Sequence, residues 1–396
     1  MERLDIGIVG GSISGTAAAG ALLEHGHRVR IFERSSAELE DRGLGIAMDP
    51  RVSARLGDDS GVAIDHRLVV DREGVVRWRR PIGKRTFRWS VVHRAVAEPL
   101  PGGMVETGCE VVEVGGDEHH AWIELRSGER CGFDLVVGAD GIGSRVRSAV
   151  DPRFVPEYLG YVAIRGLVPA AAVASRGGGV LEELVEGAMV NGYLDRSHVA
   201  AYPIRAADGT LHVNWMWYRN VEDRDLEAFM TDVGGKAHRW SVPPDAVPED
   251  RVRGIRRDAA VEMSSELAAI VEATESLSMQ AIHGGSASRR VVGRFALVGD
   301  AARVAIPHVG AGTSLAIMDA WTLADAIEGS KEGLPDRLGE WDAARRAETS
   351  GVMDFGRDLG RYLQFDGADW TTWTEEDFDR WWTGLLGGRR MYFESS

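Results

Sequence analysis

The chain of 396 residues holds only two cysteines, Cys109 and Cys131. Two thiols cannot build a disulfide framework or a metal-binding quartet, so a stapled secreted scaffold and a structural metal centre are both excluded and a reducing cytoplasm suits the chain. Positive charge is short as well: 46 Lys and Arg against 61 Asp and Glu leave a formal net charge of −15. An acidic average surface repels nucleic acid and acidic membranes. No apolar run approaches the roughly 20 residues of a membrane-spanning helix. No repeat recurs, and Met1 leads directly into a strand-like segment without the pattern of a signal peptide. What is present, 44% hydrophobic and 27% charged residues, is ordinary for a globular protein. The expectation is a cytoplasmic, small-molecule enzyme, monomer or homodimer, with neither nucleic acid nor membrane as partner.

Leu4 to Val9 reads as a buried strand, Gly10 to Gly15 as a tight turn, the following Ala/Leu-rich stretch as a helix to about Glu24 with Gly26 as its C-cap, and Arg28 to Glu33 as a second strand. This unit opens a doubly wound sheet. Asp134 to Gly138 and Arg294 to Val298 read as further buried strands, each leading through a Gly/Asp turn into a helix. In the helix after Gly312, Ala316, Ala320, Leu323, Ala324 and Ile327 share one core-facing side. Residues 65–89 and 158–217 read instead as short β segments. The expected fold is α/β. A discontinuous Rossmann-like domain takes 1–70, 90–156 and 284–365, and a β-sheet-rich substrate domain takes 71–89 and 157–283. A Trp-rich helical tail takes 366–396, with Thr374 and Asp377 spaced as a capping box.

Three motifs carry chemistry. In Gly10-Gly11-Ser12-Ile13-Ser14-Gly15, Gly10 permits the turn, Gly15 allows close helix packing, and the helix N-terminus attracts a pyrophosphate. Glu33 at the end of the second strand can accept hydrogen bonds from ribose hydroxyls. Ser12 replaces the usual middle glycine and adds a hydroxyl donor. This motif alone leaves FAD and NAD undivided. The second motif is Asp140-Gly141-Ile142-Gly143-Ser144-Arg145-Val146-Arg147, and the third is Gly299-Asp300 followed by Pro307-His308 and Gly310-Ala311-Gly312-Thr313-Ser314. A carboxylate at a strand end beside a helix N-terminus suits a ribityl chain and a flavin edge carrying negative charge.

With GGSISG, GADGIGSRVR and GDAARVAIPHVGAGTSLAIMDAWTLADAI in that order, the chain resembles the single-component FAD-dependent aromatic hydroxylases over nearly its whole length. The resemblance is strongest to the 2,6-dihydroxypyridine 3-hydroxylase branch, through GYVAIRGLV, DRSHVAAYPI and NWMWYRNV. It implies the p-hydroxybenzoate hydroxylase-like fold, bound FAD, NADH or NADPH as a transient reductant, and O2. The implied reaction is hydroxylation of a small electron-rich aromatic or heteroaromatic ring through a flavin C4a-hydroperoxide. Gly10, Gly15 and Glu33 would then hold the AMP half, Arg42 and Arg94 a phosphate or ribose, and Asp140 the pyrophosphate-ribose region, with Ser12, Ser14, Arg34 and Gly141 also cofactor-binding. Asp300 would meet the ribityl chain, while Pro307, Gly310, Gly312 and Thr313 line the isoalloxazine. Arg303, Ala311 and Ser314 depart from the family's usual His, Gln and Asn. No second GxGxxG is present for a stably bound nicotinamide.

Two residues stand out for work on the substrate. His308 beside the flavin loop can bind or deprotonate a ring hydroxyl, since an imidazole changes charge near neutral pH, or it can be a loop histidine bonded to backbone. Tyr202 can hydrogen-bond the substrate or simply pack, with His198 on the same strand face. One of two sets, His212, Asn214 and Met216 or Val213, Trp215 and Trp217, faces the pocket. The basic run Arg77, Arg79, Arg80, Lys84, Arg85 and Arg88 attracts nicotinamide phosphates or is a solvated hairpin face, the second being the plainer reading. The rivals are a reductase or dehydrogenase of the same fold, a Baeyer-Villiger oxygenase and a non-catalytic flavin-binding protein. A flavin-dependent halogenase is disfavoured, because Ile-Pro does not follow Trp215-Met216-Trp217 and no lysine stands out for its active site.

Overall fold

The computed structural model describes residues 2–36, 45–56, 61–117, 119–206, 208–329 and 331–389. Asp5–Val9 pairs in parallel with Arg28–Glu33 on one side and Leu135–Gly138 on the other, and Phe295–Leu297 adds a further parallel strand. Val105–Thr107 and Val291–Val292 complete a six-stranded sheet. Such strands are covered on both faces, which is why Leu135, Val136 and Val137 are all fully buried and no polar residue alternates with them. Helices Ile13–Glu24 and Gly312–Ala326 meet over this sheet through Ala17, Ala18, Ala21, Ala320 and Ala324, whose small side chains let the helices approach closely. All the expected core positions of the second helix are buried. Because the central strands run the same way, the turns after Val9, Glu33, Gly138 and Leu297 gather at one end of the sheet, where α/β folds bind ligands.

The second layer is a ten-stranded sheet. One face is closed by helices Gly179–Glu186, Glu249–Glu262 and Ser265–Glu272 over Trp215, Trp217, Leu68 and Val190. The opposite face presents Tyr161, Met189, Tyr202, Met216 and Tyr218. Alternation along Leu211–Asn220 therefore settles which set looks into the pocket: Met216 and Tyr218 do, and the tryptophans fill the core. The boundary expected at residue 70 is corrected. Gly45–Met48 and Val62–Val70 belong to the ten-stranded sheet, where Val62–Val70 pairs antiparallel with Val76–Arg88 and parallel with Ala188–Leu194. An apolar strand reads alike whichever sheet recruits it, so only its pairing partners decide.

The long helix Leu334–Arg361 leads to the tail. There Thr374 and Asp377 form the expected capping box, and Trp370, Phe378 and Trp382 pack with Trp78 and Tyr193. Among the described residues, no helix is long and apolar enough to cross a membrane.

A buried charge cluster ties these layers together. Asp319 accepts from Arg303 Nη1 at 2.7 Å, Arg290 Nη1 at 3.0 Å and Arg345 Nε at 3.0 Å, and from the backbone N–H of Gly299 at 3.1 Å. Burial alone would push the Asp319 carboxyl up, but the guanidiniums hold it below the usual carboxylate value. Burial also brings Arg290 down to about 10. Replacing Asp319 by Ala strands buried guanidiniums, so chemical denaturation should report a loss of about 3–5 kcal/mol. A loss of about 1 kcal/mol or less, the scale of an exposed pair, would show that the cluster is not a stabilising tie.

Candidate active site

Between the two sheets lies a cavity of about 650 Å3, within the range of small-molecule and cofactor sites. Its walls run from the Gly10–Ser14 turn and Glu33, past Asp140 and Asp300, to His308, Tyr202 and Tyr218. Of the expected cofactor residues, Gly10, Ser12, Ser14, Glu33, Arg34, Asp140, Gly141, Asp300, Pro307, Gly310, Gly312 and Thr313 all line this one space. Gly15 sits behind the turn. A Cβ there would stand 1.9 Å from the Gly10 carbonyl oxygen, so only glycine lets the helix start against this turn. Arg94 is exposed on helix Trp89–Ala97 and does not reach the cavity, whose wall that helix supplies through Trp89. Arg42 lies outside the described residues.

At the nucleotide end, Glu33 accepts from the backbone N–H of Gly11 at 2.9 Å and of Ser35 at 2.8 Å. These bonds orient the carboxylate, and its remaining lone pairs suit ribose hydroxyls. Asp140 accepts from Ser144 Oγ and from the N–H groups of Arg145 and Val146, so it caps the following helix while facing the cavity. Asp300 lines the cavity and is solvent-exposed. Desolvation pushes its carboxyl up to about 6, against the pull of Arg303 and Arg147. These turn amides, oriented carboxylates and helix N-terminus fit a dinucleotide extending along the cleft.

At the ring end, His308 occupies a single 3-10 turn, Pro307–Val309. Its Nε2 lies 2.9 Å from the Tyr161 hydroxyl, and its ring lies 4.6 Å from that of Tyr218 and 4.7 Å from that of His198. His198 in turn meets the Gln364 side-chain amide at 2.7 Å. Gly360 of the long helix passes so close that a Cβ would lie 2.8 Å from His308 Cδ2, which fixes the imidazole against the sheet. Burial brings His308 down to about 3, so the ring is neutral at working pH. Burial likewise carries Tyr202 up to about 12, keeping its phenol a hydrogen-bond donor. Tyr202 and His198 share one face of Ser197–Arg205, as their spacing indicates.

Two cations in this wall were not singled out in the sequence, Arg67 and Arg165, and a third, Lys84, stands beside them. Lys84 belongs to the basic run, but it turns inward and donates to the Val309 carbonyl at 3.1 Å. Its neighbours pair outward, Arg77 with Asp71 and Arg79 with Glu183. Strand alternation alone could have marked Lys84 as opposite in facing to Arg79 and Arg85, but not which face met a cavity.

A family model described as FAD binding domain-like matches residues 158–284. The chain is 28% identical over 388 residues to 2,6-dihydroxypyridine 3-monooxygenase of Paenarthrobacter nicotinovorans, covering 92% of each. It is 29% identical over 394 residues to a salicylate hydroxylase of Pseudomonas putida, covering 91% of this chain and 86% of that one. The structure of 2,6-dihydroxypyridine-3-hydroxylase from Arthrobacter nicotinovorans superposes with a TM-score of 0.86 at 27% identity, covering 93% of this chain and 94% of that one. The fold is that of the FAD-dependent aromatic hydroxylases. The resemblance read from the motifs, including its tilt toward the dihydroxypyridine branch, is borne out.

Two outcomes test the nucleotide end. Gly15→Ala should purify with little or no flavin, read as the ratio of flavin to protein absorbance; full occupancy would contradict the role given to the turn. The Asp300 carboxyl ionises less readily folded than in an ordinary aspartate, near 3.8, so its penalty is absent at low pH and grows as pH rises toward 6. The melting temperature of the apoprotein should therefore fall across that window more steeply than that of Asp300→Asn. Parallel profiles would remove Asp300 from the account.

Proposed function

We propose that the protein is an FAD-dependent monooxygenase that hydroxylates a small, electron-rich aromatic or heteroaromatic ring at the expense of NADH or NADPH and O2. The observation that carries this reading is the continuity of one cavity from a dinucleotide-type turn to an aromatic wall capped by a neutral histidine. Bound FAD would supply the oxygen activation, with the nicotinamide as its reductant.

The chain's own residues do the rest. The Gly10–Ser14 turn, Glu33 and Arg34 bind the adenosine half, Asp140 and Gly141 the pyrophosphate region, and Asp300 the ribityl hydroxyls. The loop from Pro307 to Thr313 flanks the isoalloxazine, and Lys84 holds that loop through Val309. Tyr161, Tyr218 and His308 close the far wall and exclude water, which protects a reactive oxygen donor from unproductive decay. Tyr202 donates a hydrogen bond to a ring substituent and thereby orients the carbon to be oxidised. His308, being neutral, orients the ring by a hydrogen bond and is not the group that carries a stored charge. The two free thiols support a reducing cytoplasm.

The test is NADH and NADPH oxidation by FAD-loaded protein with a panel of hydroxypyridines, phenols and hydroxybenzoates, following oxygen uptake and product mass. A stimulating ring that gains one oxygen atom is expected; stimulation with no oxygenated product would return the reading to a reductase. Tyr202→Phe should lower kcat about tenfold, the worth of one oriented hydrogen bond, with flavin content unchanged. A Tyr202→Phe variant with wild-type turnover would leave the tyrosine a packing residue only.

A further inference from the structure

The long helix Leu334–Arg361 does not end in an ordinary turn. Tyr362–Asp366 winds as a π-helical turn, closed by the Gly367 N–H donating to the Tyr362 carbonyl at 2.7 Å, and Gly367 leaves it with a positive φ of 59°. Single π turns are rare and concentrate at functional sites, where the extra residue re-aims the side chains around it. Leu363 still faces the cavity, as Leu359 does one turn earlier, while Gln364 is fully buried with its side chain against the ten-stranded sheet. The Gln364 backbone carbonyl accepts from Asn220 Nδ2 at 2.6 Å, which fastens the turn to that sheet.

Gln364 Nε2 lies 2.7 Å from His198 Nδ1. An amide nitrogen only donates, so Nδ1 is the accepting nitrogen and the single proton of a neutral imidazole sits on Nε2. The ring is neutral: burial above all, then His308 and Arg67, hold His198 well below its ordinary value. With the amide turned this way, Gln364 Oε1 is the atom left buried without a partner. The reverse orientation would strand an NH2 with two donors, the costlier orphan.

His198 Nε2 meets no protein hydrogen-bond partner among the described residues, and it stays open to the cavity that the ring lines. Further along Ser197–Arg205, the same face carries Ala200 and then Tyr202. Across the strands Ala200 pairs with Asn191 on one side and Met216 on the other, so a methyl group floors a hollow with a donor at either end. Tyr202, held protonated by burial, is the second donor.

Resting on the monooxygenase reading above, we propose that His198 binds the substrate as a hydrogen-bond donor through Nε2, and that Gln364 is the positioning residue that fixes this tautomer. The substrate is then a ring seated over Ala200 that turns an acceptor oxygen toward His198, and a ring offering only N–H groups there is refused.

Ring nitrogen chemical shifts of FAD-loaded protein carrying isotope-labelled histidine read the tautomer directly, the His198 signals being those absent from His198→Phe. A neutral, Nε2-protonated ring is expected throughout the neutral pH range; a proton on Nδ1 overturns the assignment. Flavin absorbance then follows binding of resorcinol, whose oxygens accept, and of meta-diaminobenzene, whose nitrogens mainly donate. Resorcinol should bind at least about tenfold more tightly, the worth of one oriented hydrogen bond, and its saturation should move the His198 Nε2 signal. Equal affinities, no binding of either ring, or an unmoved signal sinks the substrate contact. Gln364→Glu sets an accepting carboxylate opposite Nδ1, so the proton should pass to that nitrogen and the preference should fall to within about twofold. A glutamine that only packs would leave both the tautomer and the preference as they were. His198→Phe keeps a ring but removes the donor, and must lose the same preference whether or not the glutamate variant folds. None of these readouts needs turnover: a protein that oxygenates no ring can still pass them, and one that oxygenates rings with the other tautomer loses this assignment alone.

Discussion

Asp319 sits on the helix that begins at the Pro307 to Thr313 loop, while its partners come from three other places in the chain: Arg290 before the last strands of the six-stranded sheet, Arg303 just after the Asp300 turn, and Arg345 on the long helix. The same carboxylate takes the N–H of Gly299, so the turn that presents Asp300 and the helix that follows the flavin loop are referenced to one buried charge. An isolated buried carboxylate would be costly, and so would each guanidinium. Together they are tolerable only in this one arrangement, which is a geometric constraint as much as a source of stability. Arg303, which departs from the family's usual histidine, belongs to this cluster and does not face the cavity.

With that corner fixed, the cavity takes its character from two unlike walls. The six-stranded sheet offers strand ends, turns and carboxylates, the environment for sugar hydroxyls and a pyrophosphate. The ten-stranded sheet offers a broad aromatic face interrupted by cations. Desolvation governs the titrating groups at the ring end: His308 and His198 are driven neutral, and Tyr161, Tyr202 and Tyr218 are held protonated. The basic side chains of that sheet that line the cavity are Arg67, Lys84 and Arg165. A wall of neutral donors can hold an electron-rich ring in place and keep bulk water away from it.

Much of this was legible in the chain. Gly10 to Gly15 and Glu33 lie in one local unit, so their spacing carries both the turn and its ligand class. Asp140 and Asp300 each follow a buried apolar strand and converge because parallel strands bring their ends to one edge, and the Pro307 to Thr313 loop leads into the helix that packs on that sheet. Even the capping box of the last helix is contained in four consecutive residues. Arg94 lies on the exposed side of its helix, which its place in the sequence does not show.

The sequence by itself determined the class of fold, the Gly10 to Gly15 turn and the place of the Pro307 to Thr313 loop, because each depends on residues close together in the chain or on a strand-turn-helix order. Only the tertiary structure decided which sheet recruits Val62–Val70, which face of the second sheet meets the cavity, and that Arg67 and Lys84 look inward while Arg77 and Arg79 pair at its edge. It also decided that His308 is neutral, since a histidine's charge depends on how much protein surrounds it and not on its neighbours in sequence. Pairing across a sheet and burial in a cavity are contacts between distant segments, and strand periodicity, which repeats every two residues, does not say which of its two faces they will choose.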